Sequence, residues 1–278
     1  MRKKANWLAA LAVIALVGAG ITTSPSVTFA DGTTPEDREI WQSLSSDLYG
    51  DKASITETTE HITLDAPYRA LDAAIVPLTI TIPAKWTPEV ARLTLVVDKN
   101  PSPVVARFKF GQAAGLGERR ISTRVRVDMY SNIRAIAEMK DGRLFMMTKY
   151  VKAAGGCSAP ALKDMDTALA NVGKMKVRHK ASVSSSLTEE AQVMIKHPNY
   201  SGMQMNQVTG FYIPAKFIEH MEVRKGSELV FSLTGGISLS EDPNIRFTYA
   251  AGGNAPLNVK ARDTDGSIFE MTAKRVGS

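Results

Sequence analysis

The sequence predicts an all-β protein of two β-sandwich domains, with a short N-terminal helix and a helical connection between the domains. Three observations predict it. Short runs alternate apolar with polar residues, the pattern of strands with one wet face. Turn dipeptides such as Asp141-Gly142, Lys225-Gly226 and Asp265-Gly266 fall between such runs. Helical spacing is confined to two places, after Thr34 and after Ser158.

Residues 1–30 read as a removable export signal. Arg2, Lys3 and Lys4 precede an apolar run from Trp7 to Ile21, and small residues lead to Ala30. The apolar run is shorter than the roughly 20 residues a membrane span needs. The expected location is therefore the periplasm, with no membrane attachment once the leader is cut.

The first domain is expected over 31–157. Thr34, Pro35, Glu36 and Asp37 suit the cap and first turn of a helix. Its apolar face holds Ile40, Trp41, Leu44 and Leu48, and Gly50 can stop it. Then the period changes to two. Val76, Leu78, Ile80 and Ile82 face one way, although Pro77 suits an edge or a bulge. Ala106, Phe108 and Phe110 follow the same rule. So do Ile121, Val125, Val127 and Met129, with Arg124, Arg126 and Asp128 on the wet face. Asp141-Gly142 turns a hairpin, and the Pro-containing stretch 98–105 reads as a structural turn.

The connection is expected over 158–188. Ser158 can cap a helix of about twelve residues, with Leu162, Met165, Leu169 and Val172 on one face and Gly173 after it. The basic run 174–180 and the serines that follow read as an exposed linker. A solvated face is the simplest role for that basic run; docking to an acidic partner is the alternative. The second domain, 189–278, has hairpins turning at Lys225-Gly226 and Asp265-Gly266, and a strand alternating Ile245, Phe247 and Tyr249 against Arg246 and Thr248.

Charge and composition exclude several function classes. The chain carries 34 Lys and Arg against 28 Asp and Glu, and three of the basic residues sit in the leader. Residues 31–278 therefore hold 31 against 28, too mild a balance to argue for nucleic acid. No phosphate-binding glycine loop, zinc-ligand spacing or paired-carboxylate signature occurs, so no cofactor is implied.

Cys157 is the single cysteine in 278 residues. With no second cysteine, thiol–disulfide oxidoreductase chemistry lacks a resolving group. The segment 153–156 has almost no side-chain bulk, and Gly155 and Gly156 permit bends closed to other residues. It reads as a loop that exposes the thiol, and a helix starting at Ser158 would favour the thiolate. Three alternatives stand beside this: a buried apolar filler, a disulfide-linked homodimer through Cys157, and an incidental thiol in a binding module. For the last, His197, Met203 and Met205 lie close together in sequence, and thioether with imidazole suits Cu(I). The two methionines would otherwise pack at the domain interface.

An ordered set of segments resembles a known family. "IWQSLSSDLYGD", "AIVPLTITIP", "DKNPSPVVARFKFG", "RVRVDMYSNIRAIAEMKDGRLF" and "AAGGC" are similar to SoxY; "MIKHP", "YIPAKFIEHMEVRKGSELVFSL" and "SEDPNIRFTYAAGG" are similar to SoxZ. Together they resemble SoxY and SoxZ sulfur carriers fused in one chain, as in the SoxYZ-like carriers associated with quinoprotein dehydrogenases. The resemblance implies two immunoglobulin-like sandwiches paired within the molecule. It implies a non-catalytic carrier with a covalent sulfur adduct on Cys157, Gly155 and Gly156 as the swinging arm, and sulfur-oxidation or quinoprotein dehydrogenase-associated enzymes as partners. Stand-alone SoxY ends in Gly-Gly-Cys-Gly-Gly. Here Ser158-Ala159-Pro160 follows the cysteine and the chain continues, so the expected arm is tethered at both ends.

Overall fold

The computed structural model describes residues 34–51, 53–160, 165–180 and 187–274. The expected export signal lies outside these residues, as does the serine-rich stretch at 181–186. Among the described residues, no helix is long and apolar enough to cross a membrane.

Helix α1, Pro35–Tyr49, forms where its caps predict it. Thr34 Oγ1 accepts from Asp37 N at 3.1 Å, and the Asp37 carboxylate accepts from Thr34 N at 2.8 Å. Lys99 holds the same carboxylate at 2.8 Å. The helix lies on the outside of a sheet. Trp41, Leu44 and Leu48 cover buried Val96, Ile136, Leu144 and Met146, and the Arg134 guanidinium stacks 4.2 Å from the Trp41 ring.

The first half contributes eight strands: β1 Ile55–Glu57, β2 Thr63–Asp65, β3 Val76–Ile82, β4 Val90–Val97, β5 Val104–Phe110, β6 Arg119–Val125, β7 Ser131–Met139 and β8 Leu144–Val151. Asp141-Gly142 does turn the β7–β8 hairpin, with Gly142 at φ 86°. Pro77 lies beyond the reach of β2, which pairs only with Thr79–Thr81, so the missing N–H breaks no ladder on that side. The second half follows a short helix, α2 Met165–Ala170, with β9 Met175–Lys180, β10 Thr188–Ile195, β11 Ile218–Lys225, β12 Glu228–Gly235, β13 Asn244–Ala250, β14 Leu257–Asp263 and β15 Ile268–Ala273. Hairpins turn at Gly226 and Gly266 as expected.

The two predicted sandwiches exist, but they are joined edge to edge. One sheet runs β1-β8-β7-β4-β5-β12-β11-β14-β15 and the other β2-β3-β6-β13-β10-β9. The halves meet twice, at β5–β12 and at β6–β13, both antiparallel. Each sheet passes through both halves, and a single apolar core lies between them. The pairing removes four strand edges that would otherwise present unpaired N–H and C=O groups.

Three expectations need correction. The run 175–180 is strand β9, hydrogen-bonded to β10, and not an exposed linker: Val177 pairs with Val193 there, and alternate residues are half-buried. The helix after the cysteine is not capped by Ser158: residues 156–158 form a turn, Ala159 and Pro160 are not helical, residues 161–164 lie outside the described residues, and α2 is described over Met165–Ala170. The strand read over 121–129 stops at Val125, so Met129 is 54% exposed while Arg126, read as wet, is buried.

His61 offers a test of the core. Its imidazole is stacked between Trp86, at 3.9 Å, and Phe145, at 3.6 Å, and neither ring nitrogen has a hydrogen-bond partner. Burial holds its pKa below the usual 6.5. Below pH 6.5 the unfolded chain takes up a proton that folded His61 refuses, so stability is present above that pH and lost as pH falls. Urea titrations at pH 7.5 and 5.5 should show a smaller acid loss in His61→Phe than in the wild type. Equal losses would mean that His61 titrates normally.

Candidate functional site

The site forms where β6 runs out. Past Val125 the chain bends through Arg126, Val127 and Asp128, and this short stretch is braced by Asn100. Its amide nitrogen donates to Arg126 O at 2.7 Å, and its carbonyl oxygen accepts from Asp128 N at 2.9 Å. The Pro-containing turn near residue 100 thus supports the site.

The cysteine segment lies along this stretch. Gly155 N donates to Asp128 O at 2.8 Å, Gly156 N to Val127 O at 3.0 Å and Cys157 N to Asp128 Oδ1 at 3.2 Å. Gly155 takes φ 77°, the left-handed region that favours glycine. Gly156 serves a different need. A Cβ there would lie 2.1 Å from Ala73 O and 2.7 Å from Val127 O, so only glycine fits.

The second half closes over the other side. Ser201 Oγ donates to Cys157 O, and Gln204 Nε2 donates to Ala159 O at 3.0 Å. Arg126 links the two halves: Nη1 donates to Gly156 O at 3.1 Å and Nη2 to Asn199 O at 3.3 Å. Its guanidinium is 1% exposed, Nε has no partner, and no carboxylate among the described residues comes within ion-pair distance. A buried cation held only by main-chain carbonyls is costly and fixes the geometry around it.

Cys157 is 0% exposed and reduced. Burial pushes the thiol pKa up to about 12; the Asp128 carboxylate adds to the rise and Arg126 opposes it. This reverses the expectation of an exposed, helix-activated thiolate. In this conformation the thiol is neutral at pH 7 and out of reach of a second molecule, so a disulfide-linked homodimer would require the turn to leave its seat. Gly155 and Gly156 form a docked turn here, not an extended arm.

The structure gives the proposed copper ligands different environments. His197 is buried, with Nδ1 2.7 Å from Asn199 Oδ1 and Nε2 3.5 Å from Asp263 Oδ2. Met203 is half-buried; Met205 lies in an exposed β-bridge with Tyr212. Asn199 occupies Nδ1, while Nε2 has no hydrogen-bond partner and faces the Asp263 carboxylate. The stretch 197–207 matters for another reason: Ser201 and Gln204 grip the cysteine turn, and Asn199 O holds the Arg126 that bonds to it. Those three residues and Arg126 escaped the sequence reading. For Arg126 the signal was misleading, because strict alternation put it on the wet face.

Comparisons with known proteins agree with this division. A family model described as "Sulfur oxidation protein SoxY" matches residues 45–157, and one described as "Sulphur oxidation protein SoxZ" matches 176–274. No curated protein matches the chain. Among solved structures, the sulfur carrier protein SoxY from Chlorobium limicola f thiosulfatophilum is 23% identical. That match covers 42% of this chain and 94% of that one, with a TM-score of 0.34. A beta-glycosidase from Bacteroides vulgatus is 9% identical over 78% of this chain and 25% of its own, with a TM-score of 0.24.

Proposed function

Because the chain belongs to the sulfur-carrier family, as a SoxY domain and a SoxZ domain fused in one polypeptide, we propose that it holds a sulfur-containing group covalently on Cys157 and presents it to partner enzymes in the periplasm. The observation that carries this reading is the seating of the only thiol. Cys157 closes the segment matched by SoxY, on a turn that belongs to no strand or helix and is held by a few side-chain and main-chain hydrogen bonds. Bonds of this kind contribute about 1 kcal/mol each, so a turn held by them can leave its seat without unfolding a sheet. The docked state stores a neutral thiol; the undocked state exposes it for loading.

The chemistry fixes what a partner must supply. Joining thiosulfate through its terminal sulfur to the thiol makes an S–S bond, releases the thiol proton and removes two electrons. The loading partner must therefore be an electron-accepting enzyme, of the sulfur-oxidation kind or one associated with a quinoprotein dehydrogenase. The carrier itself contributes no catalytic group.

Intact-protein mass spectrometry after native purification tests this. A discrete added mass is expected on Cys157, removed by reductant and absent from Cys157→Ala. A thiol that stays unmodified after exposure to thiosulfate and an electron-accepting loading enzyme would sink the proposal.

A further inference from the structure

The basic run 174–180 has no part in the cysteine site, yet its placement in the fold is specific. Strand β9 turns Lys176, Arg178 and Lys180 outward, while Met175, Val177 and His179 face in. The register carries the same face across the sheet. Arg178 lies opposite Gln192, which lies opposite Arg246, which lies opposite Ser122. Arg120 and Arg124 flank Ser122 on the same side of β6. One face of four neighbouring strands thus gathers six cations, contributed by both halves.

A single carboxylate on those strands faces the same way. Glu190 is largely covered and sits 3.6 Å from both Lys180 and Arg246. Among the described residues, Lys176, Arg178 and Arg124 have no ion-pair partner. Residues 31–278 hold 31 basic and 28 acidic side chains. Counting Glu118, which pairs with Arg120 at the edge of the face, six and two of these lie here, and the rest has 25 against 26. The molecule is polarised, and its positive side is one sheet face.

This face leads to the cysteine. Strand β6 continues from Arg124 into Arg126–Asp128, which hold Gly155, Gly156 and Cys157. Ahead of β13, Asp242 accepts from Lys196 and from His197 N, next to the loop that grips the turn from the other side. A molecule seated on the face would have its edge beside the turn that holds the thiol.

We propose that this face is the docking surface for the acidic surface of a partner protein, the enzyme that loads or unloads Cys157. The assignment of that partner rests on the carrier reading. Charge complementarity selects the chemistry. The other outward positions are Thr79, Thr81, Ser122, Gln192, Asn244 and Thr248, with Pro77 and Met194. None is aromatic, so single-stranded nucleic acid finds no stacking platform. No large apolar residue protrudes to enter a lipid surface.

The test uses poly-L-glutamate as the acidic polypeptide probe, with phosphatidylglycerol vesicles and a single-stranded oligonucleotide as the other arms. Lys176→Glu/Arg178→Glu is compared with Lys109→Glu/Lys140→Glu, which makes the same charge change at exposed positions elsewhere. At 50 mM salt the face variant should lose at least about 10-fold in poly-L-glutamate affinity, and the control less than about 2-fold. Equal losses, or tighter binding to vesicles or oligonucleotide than to poly-L-glutamate, would overturn the proposal. The adduct mass on Cys157 is measured separately. A loaded protein whose poly-L-glutamate affinity ignores the face variant loses the docking surface and keeps the carrier function. A protein that shows the face effect but never takes an adduct does the reverse.

Discussion

Phe231→Ala is expected to destabilise both halves of the molecule together, by about 3–5 kcal/mol. Phe231 is 1% exposed on β12, at the seam between the halves. Its ring lies 5.8 Å from Phe108 on β5 and 5.0 Å, edge-on, from Phe247 on β13. The three rings belong to three of the four strands where the halves join, so truncation leaves a cavity at the junction that rigid sheets cannot close. The readout distinguishes a shared core from two tethered ones. Trp41 and Trp86 both lie in the first half. If the core is continuous, a substitution in the second half shifts the tryptophan fluorescence midpoint as far as the far-UV circular dichroism midpoint. A tryptophan transition that stays in place while circular dichroism splits in two would show independent domains.

Gly156→Ala should release the cysteine turn. The added methyl would meet Ala73 O and Val127 O, two main-chain atoms fixed by surrounding hydrogen bonds. Overpacking of this kind costs about 1–3 kcal/mol, which converts to roughly a 5- to 150-fold larger undocked fraction. Alkylation of Cys157 at pH 8 by a small maleimide should accelerate by that factor, while thermal unfolding of the sheets changes little. Gly155→Ala has open space around the new methyl and meets only the left-handed φ, so its effect should be smaller, about 1 kcal/mol. Equal, small effects at both positions would mean that the thiol is already exposed in solution and that the glycines serve mobility alone.

Much of the architecture was legible along the chain. The capping residues of α1 act within three positions of one another, and the Asp-Gly and Lys-Gly turns act within two. The inward alternation of β3 and β13 is likewise a local code, because successive side chains of a strand point to opposite faces. The same alternation failed at Arg126 and Met129, where the strand had already ended. Nothing within a few residues of Val125 signals that end; it comes from Asn100 bonding across to Arg126 and Asp128.

By itself, the sequence determined the strands and turns, the helix α1, the two-part division and a lone thiol behind two glycines. Only the tertiary structure decided that the two sandwiches share both sheets and that the thiol is stowed under the second half. The physical reason is the same in both cases. Strand edges pair through main-chain groups that every residue carries, so no side-chain pattern announces that β5 will meet β12. The thiol's burial depends on Ala73, Arg126, Asn199, Ser201 and Gln204, which converge from distant parts of the chain. Gly156 shows the limit most sharply: in the sequence it reads as freedom to move, and in the fold it is the one residue small enough to let the chain lie still.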